Sequence, residues 1–134
     1  MKVLANGCFD PLHYGHLLHL EAARKLGDWL IVSVTADDYV NKGPNRPVYK
    51  DWQRANMLKA LRIVDEVLVV TCATEALKAT NPHVFVKGGE YMSQISPEDY
   101  AYCQAHGIVI AFTCTPKYSS TDLLNHGLKA SQRP

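Results

Sequence analysis

Neither sign of charge dominates this chain of 134 residues: 14 lysines and arginines face 13 acidic residues, for a formal net charge of +1. That balance excludes a general polyanion-binding surface, so any attraction for phosphate has to be local, and no nucleic-acid partner is expected. Long hydrophobic runs are missing too. None approaches the roughly 18 residues that a membrane-spanning helix needs, and no secretory signal follows Met1-Lys2, so a cytoplasmic protein with no membrane partner is expected. Cysteine is sparse. Cys8, Cys72, Cys103 and Cys114 are widely spaced, which reads as reduced packing residues and not as a disulfide framework. Internal repeats, low-complexity tracts and linkers are absent, and the length suits one core, so a single domain over residues 1–134 is expected.

What the chain does have is alternation. Strand-like runs at Lys2–Cys8, Trp29–Thr35, Glu66–Thr71, Val84–Lys87 and Ile108–Thr113 are separated by helical patterns near Gly15–Leu26, Asp51–Leu61, Thr74–Ala79 and Pro97–His106, with a last helix near Ser120–Lys129. The order implies βαβ crossovers and a fold of the α/β class: a Rossmann-like, parallel five-stranded sheet with helices on both faces. In such a sheet ligands bind beyond the C-terminal ends of the strands, where the strand order reverses. Each loop with unusual chemistry here follows a strand. These are the histidine turn after the first, the Ala36–Lys50 stretch with Lys42 and Arg46 after the second, Lys87-Gly88-Gly89-Glu90-Tyr91 after the fourth and Tyr118-Ser119-Ser120-Thr121 after the fifth. All four are expected to meet at one edge.

The densest chemistry is Asn6-Gly7-Cys8-Phe9-Asp10-Pro11-Leu12-His13-Tyr14-Gly15-His16, directly after Val3-Leu4-Ala5. A strand there stops, turns, and enters a helix whose first N–H groups and positive dipole end attract anions. Gly15, between the two histidines, would let a phosphate approach the backbone. A zinc site is the rival reading, because His13, His16 and His19 recur every third residue. Each such step turns a helical side chain by about 60°, so His13 and His19 would diverge by about 120°. No CxxC or HExxH accompanies them, so no metal ligands are assigned and His19 is read as a surface or packing residue.

His13-Tyr14-Gly15-His16 resembles the HxGH signature of the cytidylyltransferase-like nucleotidyltransferases. With Asn6–Asp10, Lys42-Gly43-Pro44-Asn45-Arg46-Pro47, Arg54, Val86–Tyr91 and Ser119-Ser120-Thr121, the chain is similar over nearly its whole length to the adenylyltransferase domain of bacterial ADP-heptose synthases. It is more distantly similar to glycerol-3-phosphate cytidylyltransferase, which carries an arginine just before the last motif. Here that stretch reads Cys114-Thr115-Pro116-Lys117.

The resemblance implies an enzyme that transfers a nucleoside monophosphate, AMP from ATP, to a sugar phosphate of the heptose 1-phosphate kind. On this reading His13 and His16 act on the α-phosphate, with His16 opening the helix, and Lys42 completes the catalytic set. Gly7, Cys8, Phe9, Gly15, Arg46, Arg54, Lys87, Gly88, Ser119, Ser120 and Thr121 bind the nucleotide. Magnesium is the expected cofactor, arriving with the triphosphate. The partners are a nucleoside triphosphate and a phosphorylated sugar or polyol, and a homodimer is compatible. Two alternatives stay open, a polyol-phosphate cytidylyltransferase and a nucleotide-binding module without turnover. Asp10 reads equally as a turn or N-cap residue or a magnesium ligand, and Asp37 and Asp38 as helix caps or contacts to a neighbouring subunit.

Overall fold

The computed structural model describes residues 1–88 and 95–113. Five strands run β1 Lys2–Gly7, β2 Trp29–Thr35, β3 Glu66–Val70, β4 Val84–Gly88 and β5 Val109–Thr113, all parallel, in the order β3-β2-β1-β4-β5. The helices are α1 Tyr14–Arg24, α2 Asp51–Lys59, α3 Ala73–Thr80 and α4 Pro97–His106. Strand order reverses between β1 and β4, so the crevice for a ligand opens beyond the ends of those two strands.

The strands are continuous apolar runs because both faces are covered. Along β1, Val3 and Ala5 join one core with Leu20 and Ala23 of α1 and Leu58 of α2. Leu4 points the other way, into a core with Ala76 and Leu77 of α3 and Cys103 of α4. β2 and β4 alternate likewise, Val32 and Val86 on the first face, Ile31 and Phe85 on the second. The sheet is thereby sandwiched between two helix pairs.

The ends of these elements follow local chemistry. Ser96 caps α4 by accepting the Asp99 N–H at 3.1 Å, Pro97 takes the first helical position, and Gly107 closes the helix at φ 67°. The expected irregular stretch 36–50 contains one short element, a 3-10 turn at Asp37–Tyr39. The helix expected near Ser120–Lys129 lies outside the described residues.

Candidate active site

The turn after β1 is shaped by Phe9. Its φ of 50° is left-handed, uncommon for a bulky residue, and it sends the ring inward until only 3% is exposed. There the ring lies edge-on to His16, with centroids 5.0 Å apart. A Cβ on Gly7 would sit 3.0 Å from the same ring, so Gly7 makes room for Phe9. Any contact of Phe9 with a nucleotide is therefore left to its backbone.

α1 begins one residue after His13, not at His16. His13 is the N-cap and His16 the third helical residue, and each serves the other's backbone: the His16 N–H donates to His13 Nδ1 at 3.4 Å, and the His13 N–H donates to His16 Nδ1 at 3.2 Å. This is a capping box made of two imidazoles. The rings stack with centroids 3.7 Å apart and planes 22° from parallel. An Nδ1 that accepts a backbone N–H carries no proton, so the neutral ring holds its proton on Nε2. Both rings can thus donate from Nε2 to an oxyanion beside the helix N-terminus.

Electrostatics keep the rings neutral. Burial, then the repulsion a protonated ring would meet from protonation at His13, from the Lys42 ammonium and from protonation at His19, pushes the His16 pKa down to about 3. Burial and Lys42 also lower that of His13. Neutral donors grip an anion without the desolvation cost of two stacked cations. Lys42 supplies positive charge from an exposed position near both rings. Lys87, half-buried at the end of β4 over the Phe85 ring, has its ammonium pKa lowered by burial, opposed by the charge of Asp99. Gly15 is buried within the first turn of α1, and Cys8 is partly exposed between Gly7 and Phe9.

Two arginines named as nucleotide ligands are tied inside the protein. Arg46 Nε donates to Asp10 Oδ2 at 2.8 Å, the guanidinium also donates to the Asp10 carbonyl, and the pair is almost sealed from solvent. Asp10 also accepts the N–H groups of Val48 and Tyr49, at 2.8 Å and 3.1 Å. Asp10 is therefore a loop anchor. Arg54 is 1% exposed, and donates to the carbonyls of Tyr49, Cys8 and Thr35 and to Asp37 Oδ1, all within 2.9 Å. Asp37 and Asp51 exchange N–H bonds, pinning the 3-10 turn to the start of α2. These ties hold 46–51, whereas 41–45 are exposed, and Lys42 among them is near enough to act on both histidines.

The Asp10 anchor carries a pH dependence. Burial raises its pKa, but the bonds from Arg46, Tyr49 and Val48 and the Arg46 charge outweigh burial, and the net shift is downward from 3.8. A folded pKa below the unfolded one means stability present above pH 3.8 and lost as pH falls through the folded value. We expect the stability advantage of the natural protein over Asp10→Asn to be flat at neutral pH and to shrink below about pH 4. Urea midpoints measured from pH 3 to pH 7 check this, and a gap that does not narrow in acid would contradict the ionised anchor.

The structure thus brings together His13, His16, Gly15, Lys42 and the β1 end, with Lys87 and Gly88 on the other side of the switch point. Ser119, Ser120, Thr121, Lys117 and the Gly89–Tyr91 part of the fourth-strand motif lie outside the described residues. His19, expected as a surface or packing residue, is partly buried, and its Nδ1 meets Thr113 Oγ1 at 2.7 Å. The role of Asp37 in holding Arg54 went unassigned, although its spacing to Asp51 across a long loop before a helix was the available signal.

A parallel sheet with a stacked imidazole pair beside its strand-order reversal places the chain among the α/β folds that take their ligands at a switch point. Residues 4–125 match the family described as cytidylyltransferase-like, and the chain belongs to that family. Over 93 residues, 66% of its length, it is 44% identical to the bifunctional protein HldE of Campylobacter fetus subsp. fetus (strain 82-40), covering 20% of that protein. It is 45% identical over 93 residues to HldE of Koribacter versatilis (strain Ellin345), covering 66% of this chain and 19% of that one. The chain spans about a fifth of the length of these curated relatives. Among solved structures, the lipopolysaccharide core biosynthesis protein from Thermoplasma volcanium GSS1 aligns with a TM-score of 0.71 at 24% identity, over 89% of this chain and 98% of that one. Pantothenate synthetase from Thermus thermophilus aligns at 0.58 and 14% identity, over 90% and 57%. At those identities the likeness shows the shared fold. Among the described residues no helix is long and apolar enough to cross a membrane.

Proposed function

We propose that this chain transfers AMP from ATP to a sugar 1-phosphate of the heptose kind, releasing pyrophosphate. The observation that carries the reading is the stacked, neutral imidazole pair with both Nε2–H groups free of the capping box, at the head of α1 and beside the strand-order reversal. An acceptor phosphate oxygen attacks the α-phosphorus, a new P–O bond forms, the bond to the β-phosphate oxygen breaks, and pyrophosphate leaves. The acceptor is already an anionic nucleophile, so positioning and charge neutralisation suffice without a general base. His13 and His16 would donate to α-phosphate oxygens as charge grows there, and Lys42, on the exposed part of its loop, would neutralise the departing pyrophosphate.

Magnesium fits this arrangement as a passenger of the triphosphate. The Asp10 and Asp37 carboxylates are taken up by protein N–H donors, so the phosphate oxygens themselves would be its main ligands. When bound it would add charge neutralisation at the β- and γ-phosphates.

The choice of ATP and of a heptose phosphate rests on similarity to the HldE proteins and on the Lys42–Pro47 and Val86–Tyr91 motifs, together with the missing arginine before Ser119. A pyrophosphate-release screen should show turnover with ATP and heptose 1-phosphate, and little with CTP and glycerol 3-phosphate. The opposite preference would move the chain to the polyol-phosphate cytidylyltransferases.

A further inference from the structure

We propose that His19 is a positioning residue, which through Thr113 holds α1, and with it the imidazole pair, in register with the β4–β5 half of the sheet. The proposal rests on the phosphoryl-transfer reading above. His19 lies one helical turn beyond His16 on the same helix, its ring largely buried, with Nδ1 2.7 Å from Thr113 Oγ1. Thr113 is 6% exposed, ends β5 and pairs with Gly88, the neighbour of Lys87. The bond therefore runs from the helix that presents His13 and His16 to the strand pair that presents Lys87, across the point where the strand order reverses.

The surroundings explain why a polar tie is needed. Leu20 and Ala23 of α1 share an apolar core with Val84, Val86 and Ala111, and apolar contacts tolerate sliding. A hydrogen bond weakens steeply with distance and angle, so one buried bond at the end of the strand selects a single helix position. Burying an imidazole costs free energy that a leucine at this position would avoid, which is accounted for if the position itself is what matters. Burial and the nearby charge of Lys87 both lower the His19 pKa, so the ring stays neutral beside Lys87 and adds no cation to the site.

Thr113→Val removes the hydroxyl at nearly constant volume, and His19→Leu removes the ring nitrogens. His19→Asn keeps a polar atom where Nδ1 was. Pyrophosphate release by the full chain should show kcat lowered about tenfold in Thr113→Val and His19→Leu, with KM for the triphosphate moved less than about threefold. The double variant should be no worse than the poorer single one, and His19→Asn should stay within about threefold of the natural protein. The His16 imidazole nitrogen resonances, recorded without ligand, should shift in both single variants. Unchanged kcat and unchanged His16 resonances, or losses that multiply in the double variant, would overturn the proposal. The ligand-free spectrum tests the tie independently of turnover, whereas absence of pyrophosphate release from every pair in the natural protein would count against the phosphoryl-transfer reading alone.

Discussion

Replacing His16 by alanine is expected to lower turnover about 100-fold or more while the sheet and its two cores persist, the loss typical of a donor aimed at transition-state charge. The geometry also says which nitrogen matters. Nδ1 is spent on the His13 N–H, so on the proposed reading donation to the α-phosphate would fall to Nε2, and the two amide substitutions separate these duties. His16→Gln places an amide nitrogen near the old Nε2 and should retain more turnover than His16→Asn, whose oxygen can only replace Nδ1 in the capping box. With a free-enzyme pKa of about 3, His16 is already neutral across pH 5 to 8, so turnover in that range should carry no limb from its protonation. Near-normal turnover in His16→Ala with the correct substrate pair would remove the residue from the chemistry.

The sheet was legible because burial on both faces leaves a continuous apolar signature. Trp29–Thr35 is read from sequence and found in the structure with the same bounds, and the other strands agree to within one residue at each end. The strand-to-helix turn that carries the histidines was legible because the apolar run ends at a glycine and helical spacing resumes a few residues later. The inner ties were harder to read. Asp10 and Arg46 are 36 residues apart, and an arginine in a basic loop has the same sequence appearance whether it meets a ligand phosphate or a buried carboxylate. Only the fold, by closing the loop over the β1 turn, decides that Arg46 meets Asp10. The same holds for Phe9, whose inward turn depends on a positive φ that a phenylalanine does not announce. The spacing of His19 leaves a surface or packing residue as its reading, but its partner Thr113 lies 94 residues away on the edge strand β5.

Arg54→Ala should be the most destabilising single change in the molecule. Its guanidinium satisfies three backbone carbonyls from three segments, at Cys8 after β1, at Thr35 closing β2, and at Tyr49 before α2, and it pairs with Asp37. Truncation removes all four bonds, leaves a cavity where the largest fully buried side chain among the described residues stood, and takes away the partner of a partly buried carboxylate. Breaking a buried pair of this kind costs about 3–5 kcal/mol. For a domain of this size that corresponds to a midpoint lowered by roughly 10–18 °C. Arg54→Lys should recover only part of the loss, because one ammonium cannot span the planar fork that reaches all four acceptors. Thermal and urea unfolding of both variants, beside their affinity for the triphosphate, distinguishes two roles for this side chain. An internal strut predicts a large stability loss, whereas a phosphate ligand predicts near-normal stability with weakened nucleotide binding. The second pattern would mean that Arg54 leaves its four partners to meet the nucleotide, and the loop carrying Lys42 would then have to be held by Asp10 and Arg46 alone.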